Sequence, residues 1–132
     1  MRLLNKVLMV CAVPLGGALA ADSPPHCNLG LLSKAERKRD AELGPQLGKA
    51  VREVKELPNG YGFRFDAAEI SHAGEMATIA SKCCQPLTYE LELGPQPGGT
   101  LWVRITGGEG AKEFIHGEFE LFFENAGAAA AK

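Results

Sequence analysis

The fold is decided by nine residues, LPNGYGFRF, at positions 57–65. Asn59-Gly60 tolerates the positive φ that a tight hairpin needs, so this segment predicts a turn between two antiparallel strands. After the turn, aromatic residues alternate with small or polar ones, which gives the returning strand a single apolar face. A weaker alternation over residues 51–57 favours an edge strand before the turn. The segment therefore predicts a hairpin that needs a covering layer on one side.

A second hairpin and a helix follow along the chain. Thr88–Leu93 and Thr100–Thr106 alternate as strands and are separated by a loop rich in glycine and proline. Between the two hairpins, residues 67–84 carry apolar side chains at three- and four-residue steps, which is typical of a helix with one buried face. Asp66 is its predicted N-cap. The buried stripe comprises Ile70, Ala73, Ala77, Ala80 and Cys84.

Further helices are predicted near both ends. Ser33 and Glu36 have the spacing of a capping box, and the helix that they begin is expected to break or bend at Gly44-Pro45. Gly107–Gly110 opens a last helix with an apolar side. The order helix, hairpin, helix, hairpin, helix predicts an α+β fold. Its four-stranded antiparallel sheet consists of two hairpins, with helices packed on one face.

The start of the chain resembles a secretory leader. A basic beginning, a short apolar run and small residues before Asp22 predict a signal peptide at residues 1–21. A single α+β domain is then expected at residues 22–125, followed by an Ala-rich flexible tail at 126–132. This organisation predicts a periplasmic or secreted protein with no stable membrane insertion after cleavage. Cys11 would leave with the leader.

Composition and motifs exclude several functions. The formal net charge is −2 and the charges are interspersed, whereas binding to phosphate backbones calls for a basic patch, so nucleic acid is not an expected partner. No motif indicates hydrolysis, nucleotide binding or a Rossmann cofactor. The sequence thus favours a non-enzymatic protein whose partner is a metal ion or an unknown protein.

The remaining cysteines carry the main functional signal. Cys27, Cys83 and Cys84 are an odd number, so one thiol stays free, bonds another molecule or binds a metal. We expect the adjacent pair at the C-terminal end of a helix, where partial negative charge favours a bound cation. These thiols suit copper(I), or zinc if the neighbouring His26 joins them. The leading hypothesis is an exported protein that binds a soft metal ion through this cluster.

Two alternatives use the same residues. Cys27 could form a structural disulfide with Cys83 or with Cys84, in a non-catalytic interaction domain whose third cysteine is buried. The cluster could also serve a thiol redox protein or sensor, which would need a thiol of low pKa.

A second group of polar residues lies on the helix that precedes the cysteine pair. Glu69, His72 and Glu75 are spaced by three residues and so face one side, with Met76 beside them. A carboxylate–histidine metal site of this kind needs matching ligands from a second helix. No second copy of the pattern occurs in the sequence, so we interpret this surface as a solvated helix face.

Several stretches resemble a group of small bacterial proteins with a Cys-Cys-Pro-Phe motif and a terminal Gly-x-Glu-Gly-x-Lys-x-Phe helix start. The similar segments include residues 27–37, 51–61, 83–86 and 101–114. This chain differs in having Gln85 between the cysteine pair and the proline, and Leu87 in place of an aromatic residue. The resemblance implies that Cys27, Cys83 and Cys84 belong to one site, and it implies no activity.

Overall fold

The computed structural model describes residues 24–130, without the side chains of residue 125 and residues 127–130. The predicted signal peptide lies outside this range. The elements are β1 (His26–Cys27), a 3-10 turn (Leu29–Leu31), α1 (Lys34–Ala50), β2 (Glu53–Leu57), β3 (Gly60–Asp66), a second 3-10 turn (Ala67–Glu69), α2 (Ile70–Cys83), β4 (Cys84–Gln85), β5 (Thr88–Leu93), β6 (Thr100–Thr106), α3 (Ala111–Glu118) and α4 (Glu120–Ala130). None of the helices in this range is long and apolar enough to cross a membrane.

The predicted α+β fold is confirmed. Four antiparallel strands pair in the order β2-β3-β6-β5, and β1 pairs separately with β4. Alternate side chains of the two central strands form the core beneath the helices, and all of them are fully buried: Phe63, Phe65, Leu101, Val103 and Ile105. The ring of Phe122 on α4 packs edge-on against Phe63, with centroids 5.1 Å apart. The sheet thus has one apolar face, which the helices cover.

The first hairpin forms where it is predicted, but its turn is different. Pro58 and Asn59 form the turn, Gly60 is already paired opposite Leu57, and neither Asn59 nor Gly60 has a positive φ. Gly60 is needed for another reason, because a Cβ there would overlap the carbonyl oxygen of Ile105 on β6. The expectation of a positive-φ Asn-Gly turn is therefore wrong. The glycine instead allows the close approach of two backbones.

Of the break or bend predicted at Gly44-Pro45, the break is wrong, since α1 continues through Pro45 as one helix. Leu43 and Leu47 flank the proline, lie one turn apart on the same face and are both fully buried. Burying two leucine side chains outweighs the helical hydrogen bond that a proline cannot donate. At its start the helix has the predicted capping box between Ser33 and Glu36.

The C-terminal helix is interrupted. Phe119 has non-helical dihedral angles (φ −111°, ψ 36°), and it separates α3 from α4 where one helix is predicted. The break redirects the chain so that Ile115 on α3 and Phe122 on α4 both reach the core. Helix α4 continues to Ala130 and buries Ala126, so this part of the predicted tail is helical. The domain boundaries stay predictions.

Candidate functional site

The end of α2 separates the side chains of the two adjacent cysteines. Cys83 is the last residue of the helix, and Cys84 is extended (φ −106°, ψ 97°) as it enters β4. Both side chains are buried, Cys83 being 3% and Cys84 6% exposed.

The predicted cap at the other end of α2 does not form through its side chain, because the Asp66 carboxylate makes no capping hydrogen bond and pairs with Arg52 instead.

A short strand brings the third cysteine to this point. Cys27 on β1 lies directly opposite Cys84 in the antiparallel pair, and the next backbone amide, that of Asn28, donates to the Cys83 carbonyl over 2.8 Å. Cys27 and Cys84 form a disulfide with their Cα atoms 4.1 Å apart. Of the two partners that the sequence leaves open for Cys27, the structure therefore has Cys84. Cys83 is a buried free thiol.

The three sulfur atoms form a cluster. The Cys83 thiol lies 3.6 Å from Cys84 Sγ and is the donor, because the disulfide sulfur carries no proton. All three sulfur atoms lie within 4.8 Å of one another, a convergence that could hold a metal ion. We name this group (Cys27, Cys83 and Cys84) the sulfur cluster. Backbone pairing, rather than long side chains, fixes its geometry.

The electrostatic environment disfavours a free thiolate at Cys83. Burial raises the pKa of the Cys83 thiol, and the negative charges of Asp40 and Glu118 raise it further. Burial also raises the pKa of the Asp40 carboxyl. Nearby, the Tyr89 hydroxyl donates to the Cys84 carbonyl over 3.4 Å, and burial raises the pKa of this phenol well above its usual range. An anion at this site is therefore unfavourable unless a cation accompanies it.

The sulfur cluster lines a cavity of about 270 Å³. Apolar groups and three carboxylates share this cavity: it is lined by the cluster together with Leu29, Asp40, Gly44, Met76, Ala80, Gly117, Glu118, Phe119, Glu120, Leu121 and Phe122. Asp40 is half-buried, whereas Glu118 and Glu120 are exposed at the break between α3 and α4. The cavity is thus a mixed apolar and acidic space beside the disulfide.

His26 lies outside the sulfur cluster. Its side chain is exposed, and its Nδ1 is 3.1 Å from the Pro24 carbonyl oxygen. The histidine precedes Cys27 in a strand, so the two side chains point to opposite faces. The structure therefore brings together the three predicted sulfur ligands but not the optional imidazole.

The second polar group spans the 3-10 turn before α2 and the first half of α2, and two of its members also contact α1. Glu75 accepts two hydrogen bonds from the Arg39 guanidinium of α1, at 2.7 and 3.0 Å. His72 lies between Glu69, at 3.2 Å, and the Gln46 amide. Met76 is 3% exposed and packs in the core, so its assignment to a solvated face is wrong. Because Glu75 and His72 are engaged with different neighbours, this surface connects helices.

Sequence reasoning missed the acidic lining of the cavity. Asp40 is one of many charged residues on α1, and Glu118 and Glu120 flank a helix break that has no proline to mark it. Only the packing of α1 and of the α3–α4 break around the end of α2 brings these carboxylates together. No local pattern signals that arrangement.

Comparison with known proteins does not assign the chain to a family. No protein-family model, no curated protein and no solved structure matches this chain.

Proposed function

We propose that this protein binds one soft metal ion through the sulfur cluster when the Cys27–Cys84 disulfide is reduced. The observation that carries the proposal is the convergence of three sulfur atoms within 4.8 Å. An ion with metal–sulfur bonds of about 2.3 Å holds its ligand sulfurs roughly 3.8–4.0 Å apart. The separation of 3.6 Å between the sulfurs of Cys83 and Cys84 is already close to this value.

Reduction supplies the other ligands. The disulfide occupies two of the three sulfurs, and breaking it with two electrons and two protons gives two thiols. The β1–β4 pairing and the hydrogen bond from the Asn28 amide to the Cys83 carbonyl do not involve the disulfide. Because this backbone frame holds Cys27 against Cys84, the sulfurs need only separate to contact distance for an ion to enter.

The local charges favour a cation over free thiolates. Asp40 and Glu118 lie near Cys83, and the cluster is at the C-terminal end of α2, where the helix dipole is negative. A bound cation reverses the penalty on thiolates, since metal coordination deprotonates thiols outright. The pKa of Cys83 is raised in the absence of an ion, so binding is expected to release protons.

The three-sulfur set supports copper(I) more than zinc. Soft thiolates select copper(I), which accepts few ligands, whereas zinc sites generally use four. Zinc would need a fourth ligand, and among the described residues neither the His26 imidazole nor a carboxylate oxygen belongs to the group of converging ligand atoms. Turning His26 inward requires it to leave the Pro24 carbonyl, and the strand geometry opposes this.

The proposal is tested with the reduced protein under nitrogen. The disulfide is reduced with a dithiol, the reagent is removed, and copper(I) is titrated against a colorimetric chelator, with zinc in parallel. We expect one copper(I) ion per chain. Cys83→Ser removes one sulfur and leaves the disulfide pair available for reduction, and we expect it to weaken binding at least tenfold. His26→Ala is the matched control and should leave copper(I) binding unchanged.

Two results would contradict the proposal. The first is binding by the reduced protein no tighter than that of the same chain unfolded in urea. The second is equal copper(I) affinity in the Cys83→Ser variant, which would leave this thiol without a ligand role.

A disulfide-stabilised interaction domain is the second candidate function. The observation in its favour is the Cys27–Cys84 bond itself, which ties β1 and the following turn to the end of α2. Loss of stability on reduction with no recovery when metal is added would favour this candidate. A redox sensor has less support, because the pKa of Cys83 is raised rather than lowered.

Export to the periplasm or the medium is part of the proposal. Two features support it: the leader-like sequence of residues 1–21 and the presence of a disulfide, which persists in oxidising compartments. Expression of the full chain in a bacterial host, followed by separation of periplasm and cytoplasm, tests it. A periplasmic product that has lost the first 21 residues is expected. A full-length product confined to the cytoplasm would contradict export.

A further inference from the structure

The cavity beside the disulfide combines groups that suit one kind of reagent. Cys27 and Cys84 contribute the bond that can be cleaved, and the buried Cys83 thiol lies 3.6 Å from Cys84 Sγ. Asp40, Glu118 and Glu120 add three carboxylates to the lining. Within residues 24–130, no lysine or arginine forms an ion pair with any of these carboxylates. The cavity lining therefore carries three carboxylates and, within the described residues, none of them is paired with a lysine or arginine.

We infer that this cavity is a binding site for small cationic thiols, which reduce the Cys27–Cys84 disulfide from within it. A ligand of this class, an aminothiol, has a sulfur for the disulfide and an ammonium group for the carboxylates. The cavity volume of about 270 Å³ has room for such a molecule of a few heavy atoms. The inference depends on the disulfide and not on metal binding, so the two proposals can fail separately.

The exchange begins at Cys27, because this residue is half-buried whereas Cys84 is only 6% exposed. The aminothiol thiolate attacks Cys27 Sγ and forms a mixed disulfide. The Cys27–Cys84 bond breaks, its electron pair leaves on Cys84 Sγ, and that sulfur takes a proton from water. The hydrogen bond that the Cys83 thiol donates to Cys84 Sγ supports the departing sulfur.

A second aminothiol completes the reaction. Its thiolate attacks the reagent sulfur of the mixed disulfide, and Cys27 leaves as a thiolate and is protonated. The products are the disulfide of the aminothiol and two protein thiols, so two electrons and two protons have been transferred. The reduced sulfur cluster then contains the three thiols that the proposed metal site requires.

The carboxylates should make the rate depend on the charge of the reagent. An acidic cleft raises the local concentration of cations and lowers that of anions, with typical effects on association rates of about tenfold or more at low salt. A thiol with an ammonium group should therefore react faster than its neutral analogue. A thiol with a carboxylate should react more slowly. Salt should weaken both effects.

The experiment compares three thiols of similar size: 2-aminoethanethiol, 2-mercaptoethanol and mercaptoacetate. Second-order rate constants per thiolate are measured by acid quenching, alkylation and intact mass, for the oxidised, metal-free protein at low and high salt. The same thiols are reacted with a small uncharged disulfide to correct for intrinsic reactivity. After this correction we expect the ammonium thiol to exceed the carboxylate thiol about tenfold at low salt.

Matched variants separate a local effect from overall charge. Asp40→Asn and Glu118→Gln each remove one negative charge from the cavity lining, and each should lower the preference for the cationic thiol severalfold. Glu90→Gln removes the same charge from an exposed position on β5, outside the cavity lining, and should leave the preference unchanged. Circular dichroism spectra establish that each variant is folded.

Three outcomes would overturn the inference. One is a corrected preference of about one for the parent protein. Another is an equal change in the Glu90→Gln control, which would assign the preference to net charge. The third is a native disulfide that none of the three thiols reduces, which would show that the cavity does not admit them.

Discussion

Reduction of the Cys27–Cys84 disulfide should destabilise the fold by an amount that follows from chain length. The two cysteines are 57 residues apart in sequence, so the bond closes a long loop of the unfolded chain. The chain-entropy relation gives about 4 kcal/mol for a loop of this size at 25 °C. Small domains have total stabilities of about 5–15 kcal/mol. The reduced protein should therefore remain folded, with about 1–11 kcal/mol of its stability left.

Urea unfolding with and without reductant measures this loss. Trp102, the single tryptophan, is half-buried on β6 and reports the transition by fluorescence. With a denaturant slope of about 1–2 kcal/mol/M, a loss of 4 kcal/mol lowers the urea midpoint by about 2–4 M. The Cys27→Ala/Cys84→Ala double variant is the control, and its midpoint should not respond to reductant.

A change of less than about 0.5 M in the urea midpoint of the parent protein on full reduction would contradict this prediction. With a denaturant slope of about 1–2 kcal/mol/M, such a change corresponds to a loss of at most about 1 kcal/mol in the free energy of unfolding. Adding copper(I) to the reduced protein extends the test. A ligand that binds only the folded state raises its stability, by about 2.7 kcal/mol at a free concentration of 100 Kd, so a large part of the lost stability should return.

Three further results are expected. Gly60→Ala should lower the free energy of unfolding, measured in urea, by more than about 2 kcal/mol, because the added Cβ would overlap the backbone of β6. Gly74→Ala, in an open position of α2, should raise it by about 0.5–1 kcal/mol. The free energy of unfolding should fall as the pH drops below about 4.5, the ordinary pKa of a glutamate. The Arg39 guanidinium holds the pKa of the Glu75 carboxyl below that value, and their ion pair is lost when the carboxyl is protonated. Glu75→Gln should flatten this part of the pH profile, and an unchanged profile would argue against the ion pair. At pH 7, Cys83 of the oxidised protein should be alkylated at least 100-fold more slowly in the native state than in the urea-unfolded state, because the thiol is buried and its pKa is raised. Intact mass measures the two rates, and equal rates would show that the thiol is open to solvent.

The sheet was predictable from the sequence because its pattern is local. Strands β5 and β6 begin and end at the predicted residues, and the alternation along β6 places Leu101, Val103 and Ile105 in the core. The capping box of Ser33 and Glu36 was likewise predictable, since it depends on two residues three positions apart. Such features depend on the period of a strand or on one helix turn, and tertiary packing reinforces them.

The departures from prediction arise where packing outweighs a local preference. Pro45 is a helix breaker by its chemistry, yet the burial of Leu43 and Leu47 keeps α1 continuous. Gly60 indicates a turn by its flexibility, but its role is to let β3 approach β6. In each case the deciding contact comes from a segment distant in sequence, so no local pattern contains it.

The sequence indicates which three cysteines form the candidate site, but not which two of them are joined by a disulfide. An odd number of cysteines pointed to Cys27, Cys83 and Cys84. The choice of Cys84 as the bonded partner depends on a two-residue strand pairing, which is too short to recognise in sequence. The acidic cavity depends on α1 and on the break at Phe119. Thus the sequence identifies the three cysteines, whereas the environment around them is a product of the fold.

The copper content of the reduced protein directly measures metal binding by the sulfur cluster. The chain is reduced and loaded with copper(I) under nitrogen, passed through a desalting column, and examined by native mass spectrometry beside its oxidised form and the Cys83→Ser variant. One copper(I) ion is expected in the reduced parent protein, none in the oxidised form, and less copper in the reduced variant, which keeps two of the three sulfurs. As much copper in the oxidised form or in the variant as in the reduced parent protein, or none in the reduced parent protein, would contradict a metal site built from the sulfur cluster.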